Sequence, residues 1–163
     1  MHLRESGLTA LELAVALAII AVMASITMPP YLKGWRKAQL SGTAANLATD
    51  IEMAKTQAIR ENATVVIAFQ SNSYRLFLDS GDGGGGPPNW NQDAGEQLVL
   101  QRDLPAGVRI DTSSLSFPTV SDKTRFNSRG IPYDIVTPET ISVKQGDQNR
   151  LITINRLGNV EVQ

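Results

Sequence analysis

The stretch LAVALAIIAVMASITMPPYL, residues 13–32, is a run of 20 residues without a charge, bounded by Glu12 and Lys33. As an α-helix it extends about 30 Å at 1.5 Å per residue, which matches the hydrocarbon thickness of a bilayer. Tyr31 and Trp35 lie at its C-terminal end, and amphipathic aromatic side chains favour the membrane interface. The sequence therefore predicts a membrane-spanning helix near the N-terminus.

Two other interpretations fit this run less well. A secretory signal peptide needs a basic start, a shorter apolar core and a small-x-small cleavage site, whereas residues 1–7 contain one arginine and one glutamate. The buried helix of a soluble protein rarely extends over 20 residues without a charge.

The charges after the run predict its orientation. By charge alone, Lys33, Arg36 and Lys37 would place the rest of the chain in the cytoplasm.

The residues before the run carry a more specific pattern. Gly7-Leu8-Thr9-Ala10-Leu11-Glu12 precedes the apolar stretch, and a carboxylate there costs up to about 3 kcal/mol in lipid. The pattern resembles the class III signal of type IV pilins and type II secretion pseudopilins, with Leu8 in place of the common Phe and Ala10 in place of the common Leu.

The resemblance implies how this end of the chain is processed and used. A prepilin peptidase would cut after Gly7, Leu8 would become the new and usually N-methylated terminus, and Glu12 would pair with the terminal amine of a neighbouring subunit. Residues 1–7 would be the leader and residues 8–32 the transmembrane and assembly helix. The chain would then cross the bacterial inner membrane once with its C-terminal domain in the periplasm, against the charge count. Pro29 and Pro30 lie where family members often carry a proline, and we expect them to kink or locally unwind the helix.

Beyond the prolines, residues 33–62 predict an amphipathic continuation of the same helix that ends near Glu61 and Asn62. Its apolar face steps by 4, 3, 4, 3 and 4 residues, and the charged residues, Asp50 among them, lie mostly off this face. The face consists of Leu40, Ala44, Leu47, Ile51, Ala54 and Ala58.

Residues 63–163 predict an antiparallel β domain. Short β-branched or alternating runs are separated by turn signals such as Gln145-Gly146-Asp147. The predicted fold is α+β and pilin-like, with the long helix packed on one sheet. The expected strands are residues 64–69, 74–79, 97–102, 108–111, 123–127, 140–144, 151–155 and 159–162.

Short patterns across the β part resemble one branch of the family, the GspH/FimT pseudopilins. This resemblance implies a minor pseudopilin of a type II secretion pseudopilus that assembles with other pilin subunits. A minor pilin of a type IV pilus and a membrane-tethered DNA- or Ca²⁺-binding module are the alternatives. The matching stretches are residues 77–79, 94–97, 104–108, 125–130 and 151–154.

The composition excludes most enzyme chemistry. The chain of 163 residues has no cysteine, and its single histidine is His2. Thiolate nucleophiles, disulfides, Ser-His-Asp triads and histidine zinc sites are therefore unavailable to the body of the chain. We expect a non-enzymatic structural protein without a cofactor.

Residues 79–96 form an acidic, glycine-rich loop without a basic residue. Clustered carboxylates suit Ca²⁺, but the EF-hand spacing is absent, so we expect a solvated, mobile loop and no metal. The weak alternative ligands are Asp79, Asp82, Asp93 and Glu96.

Nucleic acid is not an expected partner. Some FimT-type proteins are linked to DNA uptake through a Gly-Arg-x-Arg pattern near the C-terminus, but here Asn159 and Glu161 take the arginine positions after Gly158. We expect Arg125 and Arg129, which flank one turn, to be ordinary solvated side chains.

Overall fold

The computed structural model describes residues 9–81, 87–115, 117–133 and 135–163. One helix, α1 (Ala10–Arg60), precedes eight strands. The proposed cleavage residues Gly7 and Leu8, and the acidic Asp82, lie outside the described residues. The strands are β1 (Thr64–Phe69), β2 (Ser73–Asp79), β3 (Leu98–Asp103), β4 (Val108–Ile110), β5 (Lys123–Phe126), β6 (Glu139–Gln145), β7 (Gln148–Ile154) and β8 (Val160–Val162).

The chain divides into two compact units between Lys37 and Ala38. The helix α1, whose first part lies in the first unit, is long and apolar enough to cross a membrane. Its large apolar side chains are exposed along the predicted span, from Leu11 at 74% to Leu32 at 42%. Sequence and structure thus agree on an apolar helix whose side chains are not covered by other described residues of its unit.

The local unwinding that was one of the two effects expected at the prolines does not occur. α1 is continuous through Pro29 and Pro30.

In the second unit, the predicted apolar face of α1 is confirmed. Leu40 is 2% exposed, and Ala44, Leu47, Ile51, Ala54 and Ala58 are fully buried in one core with residues of both sheets. The alanines leave room for the strands to approach the helix closely. The charged Asp50, predicted off this face, is also buried at 5% exposure, which corrects the expectation.

The helix ends where its last carbonyls find partners. Asn62 adopts a left-handed φ of 50°, its N–H donates to Ile59, and the Ala63 N–H donates to Ala58. This pair of bonds is a Schellman motif, in which Asn is the usual non-glycine residue. The predicted end at residues 61–62 is therefore correct to within two residues.

All eight predicted strands are present, but they form two sheets and not one. The first has the order β3-β2-β1-β5 and the second the order β4-β6-β7-β8, and every pairing is antiparallel. A run of alternating residues shows which segments are strands and not which neighbours they pair with. The predicted α+β, pilin-like architecture is confirmed with this change.

Candidate functional site

The N-terminal end of α1 is closed by a reciprocal pair of side chains. The Thr9 N–H and hydroxyl both donate to Glu12 Oε2 at 3.1 Å, and the Glu12 N–H donates to Thr9 Oγ1 at 3.2 Å. This arrangement is a capping box, which satisfies free N–H groups at the first turn. Glu12 therefore has a partner within its own chain, which the sequence analysis missed although the Thr-x-x-Glu spacing signals it.

The acidic loop is tied down in its described parts. Asp79 is 2% exposed. Its Oδ1 accepts N–H groups of Gly81 at 3.2 Å and Asn89 at 3.0 Å, and its Oδ2 accepts the Trp90 N–H at 2.8 Å. These three backbone donors occupy three of the roughly four lone-pair sites of the carboxylate, which makes Asp79 a structural acceptor.

The two other loop carboxylates that the structure describes, Asp93 and Glu96, also accept hydrogen bonds within the loop. Glu96 accepts the N–H groups of Ser80 at 2.6 Å and Asp93 at 3.0 Å, and Asp93 accepts the Asn89 amide at 2.7 Å. Among the residues that the structure describes, no group of three or more side chains is placed to hold a metal ion. The expectation of a solvated loop is corrected at the buried Asp79, whereas Asp93 and Glu96 are half-buried.

Arg125 is not a solvated arginine, which corrects another expectation. It is 9% exposed, and its guanidinium carbon lies 4.1 Å from the ring centroid of Trp90 and 4.0 Å from that of Tyr133. Its Nη1 donates to the Pro88 carbonyl at 3.2 Å. Arg129, by contrast, is exposed and lies outside this stack, as predicted for a solvated arginine.

The same loop carries the strained residue of this region. Trp90 has a φ of 69°, and a bulky residue in the left-handed region costs on the order of 1–3 kcal/mol. Lys123 Nζ donates to the Trp90 carbonyl at 3.0 Å, so two cations of β5 and the buried Asp79 hold this conformation. Residues 88–91 are therefore part of the folded domain.

A polar triad centred on the buried Asp50 fixes the helix to the first sheet. The Tyr74 hydroxyl of β2 donates to Asp50 Oδ2 at 2.5 Å, and Arg102 of β3 donates to both carboxylate oxygens, Nε at 2.7 Å and Nη2 at 3.2 Å. Burial and the adjacent carboxylate raise the pKa of Tyr74 well above its usual value. The bond to Asp50 raises the pKa of Arg102, so the cation is held charged.

Another ion pair of the domain joins β6 to the residue that follows β4. Lys144 of β6 donates to Asp111, which also accepts the Ser113 hydroxyl at 2.6 Å. These two bonds, the lysine first, lower the pKa of Asp111 to about 2. Both side chains line an open surface depression of about 350 Å³ together with Ser71, Arg109 and Thr112.

Comparisons with known proteins agree with this geometry. The family model described as type II transport protein GspH matches residues 43–158. The pilin-like protein PilA1 of Thermus thermophilus is 29% identical over 163 residues, covering 96% of this chain and 97% of that protein.

Two solved structures have a similar fold. The type IV minor pilin FimU of Pseudomonas aeruginosa gives a TM-score of 0.57 at 14% identity, covering 78% of this chain and 90% of that one. The minor pseudopilin EpsH from the type 2 secretion system of Vibrio cholerae gives 0.53 at 14% identity, covering 77% and 96%. Both likenesses concern the fold alone.

Proposed function

We propose that this chain, which belongs to the GspH family, is a non-enzymatic minor pseudopilin, a structural subunit of a type II secretion pseudopilus involved in protein secretion. The chain is a GspH/FimT-like member of the type IV pilins, a group of structural subunits. The description of the matching family and the fold of EpsH support a place in a secretion machine.

The observation that carries the proposal is the unpartnered first half of α1. The large apolar side chains of residues 11–32 are all exposed within their unit. Burial of one such side chain stabilises by about 1.5–3 kcal/mol. Exposure of all twelve to water therefore forgoes on the order of 20 kcal/mol of burial free energy. Lipid covers this surface before assembly, and the equivalent helices of other subunits cover it in the filament.

The N-terminal residues define the route from membrane to filament. A prepilin peptidase removes residues 1–7 after Gly7, Leu8 becomes the methylated terminus, and Glu12 pairs with the terminal amine of a neighbouring subunit. Such a pair neutralises a carboxylate that is costly in an apolar helix bundle. The subunit spans the bacterial inner membrane once, with its β domain in the periplasm.

Processing tests the first of these steps. Co-expressed with an active prepilin peptidase, the chain is expected to lose residues 1–7, and Gly7→Ala is expected to slow or abolish the loss. Intact-mass analysis of membrane-extracted protein gives the readout. A full-length N-terminus beside a processed control pilin would refute the proposal.

The second test separates the charge of Glu12 from its capping role. Glu12→Gln removes the charge but retains an oxygen that accepts the Thr9 donors, whereas Thr9→Ala breaks the capping box and leaves the carboxylate. We expect Glu12→Gln to insert in the membrane and fail to enter the filament, and Thr9→Ala to assemble. Crosslinking to neighbouring subunits measures this, and equal assembly of both variants would show that the charge is not used.

A minor pilin of a type IV pilus is the second candidate. The fold of FimU and the similarity to PilA1 support it. Deletion of the gene in its native host distinguishes the two machines. Loss of secreted enzymes with normal surface pili supports the secretion pseudopilus, and loss of pili with normal secretion supports the pilus.

A further inference from the structure

Three cations follow the predicted span on one side of α1. Lys33, Arg36 and Lys37 are exposed, and at about 100° per residue they occupy an arc of roughly 100° on the helix surface. Tyr31 and Trp35, 64% and 63% exposed, lie on the opposite side. We refer to Lys33, Arg36 and Lys37 as the basic cluster.

The depth of the basic cluster matches that of lipid headgroups. Its members lie about 1.5 to 7.5 Å beyond Leu32 along the helix axis. The polar region on each side of a bilayer core is roughly 5–7 Å thick, and long cationic side chains extend toward it. If residues 13–32 cross the hydrocarbon, all three cations lie at the level of the phosphates.

Among the described residues of this unit, 9–37, no carboxylate is close enough to neutralise the basic cluster. Between Glu12 and Asp50 the sequence contains no acidic residue. Glu12 is the only carboxylate among residues 9–37, and its distance from Lys33 is about 31 Å along the helix. The compensating anions for these three exposed cations must therefore come from outside the unit.

We propose that the basic cluster binds the phosphates of anionic phospholipids in the leaflet at the C-terminal end of the span, while Tyr31 and Trp35 occupy the acyl boundary on the other side of the helix. This inference rests on the membrane anchoring in the proposed function. Lipid binding would offset the cost of three cations on the exported side and hold the subunit in the bilayer until filament contacts replace the lipid.

The test measures which lipids surround Trp35. The full-length chain is reconstituted in vesicles of phosphatidylcholine and phosphatidylglycerol at a ratio of three to one, with bromine on the acyl chains of one lipid or the other. Bromine quenches nearby tryptophan, and Trp35→Phe supplies the background from Trp90, the other tryptophan of the chain. Lys33→Gln/Arg36→Gln/Lys37→Gln removes the basic cluster, and Arg60→Gln/Arg129→Gln/Arg156→Gln removes three charges elsewhere.

Brominated phosphatidylglycerol is expected to be enriched around Trp35 roughly twofold or more above its mole fraction. The enrichment is expected to vanish in the basic-cluster variant and at about 1 M salt, and to persist in the control variant. If brominated phosphatidylglycerol quenches Trp35 of the unmodified chain only in proportion to its mole fraction, the inference is overturned. Acidic residues of a partner subunit would then be the better candidate for the compensating anions. Enrichment that survives loss of the basic cluster would also overturn the inference. Alkaline extraction of the chain from the vesicles would instead contradict the membrane anchoring itself.

Discussion

At the scale of single residues, the Asp50 triad shows how a charge can belong to a core. Asp50 is on the helix, Tyr74 and Arg102 are on two strands, and together they satisfy both carboxylate oxygens. A helical wheel drawn from the sequence places Asp50 outside the apolar face because it contains no information on which strand residues will meet it. The buried charge was therefore not predictable from periodicity.

Removal of the Tyr74 hydroxyl tests the triad. We expect Tyr74→Phe to lower the free energy of unfolding by about 1–3 kcal/mol, because Asp50 loses a buried hydrogen bond. Tyr133→Phe is the matched control, since Tyr133 is 44% exposed, and its effect is expected to stay within about 0.5 kcal/mol. Denaturant unfolding of the full chain in detergent micelles measures both, and equal effects would contradict a special role of the triad.

The Asp111–Lys144 pair predicts a dependence of stability on acid. Its lysine and Ser113 hold the pKa of Asp111 at about 2, below the ordinary value of about 3.9. A depressed folded-state pKa stabilises the fold above the unfolded-state value, and this contribution is lost as pH falls from about 4 to about 2. We expect Lys144→Met to weaken this pH dependence, measured by the difference in thermal midpoint between the two proteins across that range. A difference that stays constant from about pH 6 down to about pH 2 would refute the assignment.

At the scale of elements, the sequence predicts the helix face and the strands well because both depend on local periodicity. The six-residue face of α1 from Leu40 to Ala58 is buried as its spacing requires. What periodicity does not contain is pairing between distant segments. The division into two sheets and the stacking of Arg125 on Trp90 are of this kind, and so is the anchoring of the acidic loop by Asp79.

The packing of α1 against the turn after β5 gives a prediction at this scale. Gly130 has a φ of 72°, and a Cβ there would lie 2.7 Å from Ile59 Cδ1. Gly146 has a φ of 58° with nothing within 4 Å of the added atom. Gly130→Ala therefore combines backbone strain with a steric clash, whereas Gly146→Ala carries only the strain.

We expect Gly146→Ala to cost about 1 kcal/mol of unfolding free energy and Gly130→Ala to cost about 1–3 kcal/mol more. Ile59→Ala in the Gly130→Ala background is expected to recover part of the second cost, because it removes the clashing Cδ1 atom. Unfolding curves of the unmodified chain, Gly130→Ala, Ile59→Ala and the Gly130→Ala/Ile59→Ala variant form a double-mutant cycle. Additive effects would show that the turn does not pack on the helix as described.

At the scale of the whole molecule, charge argues for a structural subunit over a nucleic-acid receptor. Apart from Arg4, Glu5 and Glu12, all charged residues lie in residues 31–163, which leaves 14 basic and 14 acidic side chains. Phosphate affinity requires clustered, available cations. Arg125 is enclosed by two aromatic rings and is therefore not available to bind a phosphate. Of the other arginines in the last 40 residues, Arg129 and Arg156 are exposed and Arg150 is partly buried.

The full chain in detergent micelles is therefore expected to bind duplex DNA no better than the non-specific range of about 10⁻⁴ to 10⁻⁶ M at physiological salt. An anisotropy titration measures the affinity, with Arg129→Gln/Arg156→Gln as the variant that leaves the Arg125 stack intact. Sub-micromolar binding that is lost in this variant would support DNA capture as the function and contradict the proposed role as a filament subunit. Binding at the non-specific level, weakened equally by salt in both proteins, is what a neutral domain predicts, because exchange of a few scattered counterions carries little free energy.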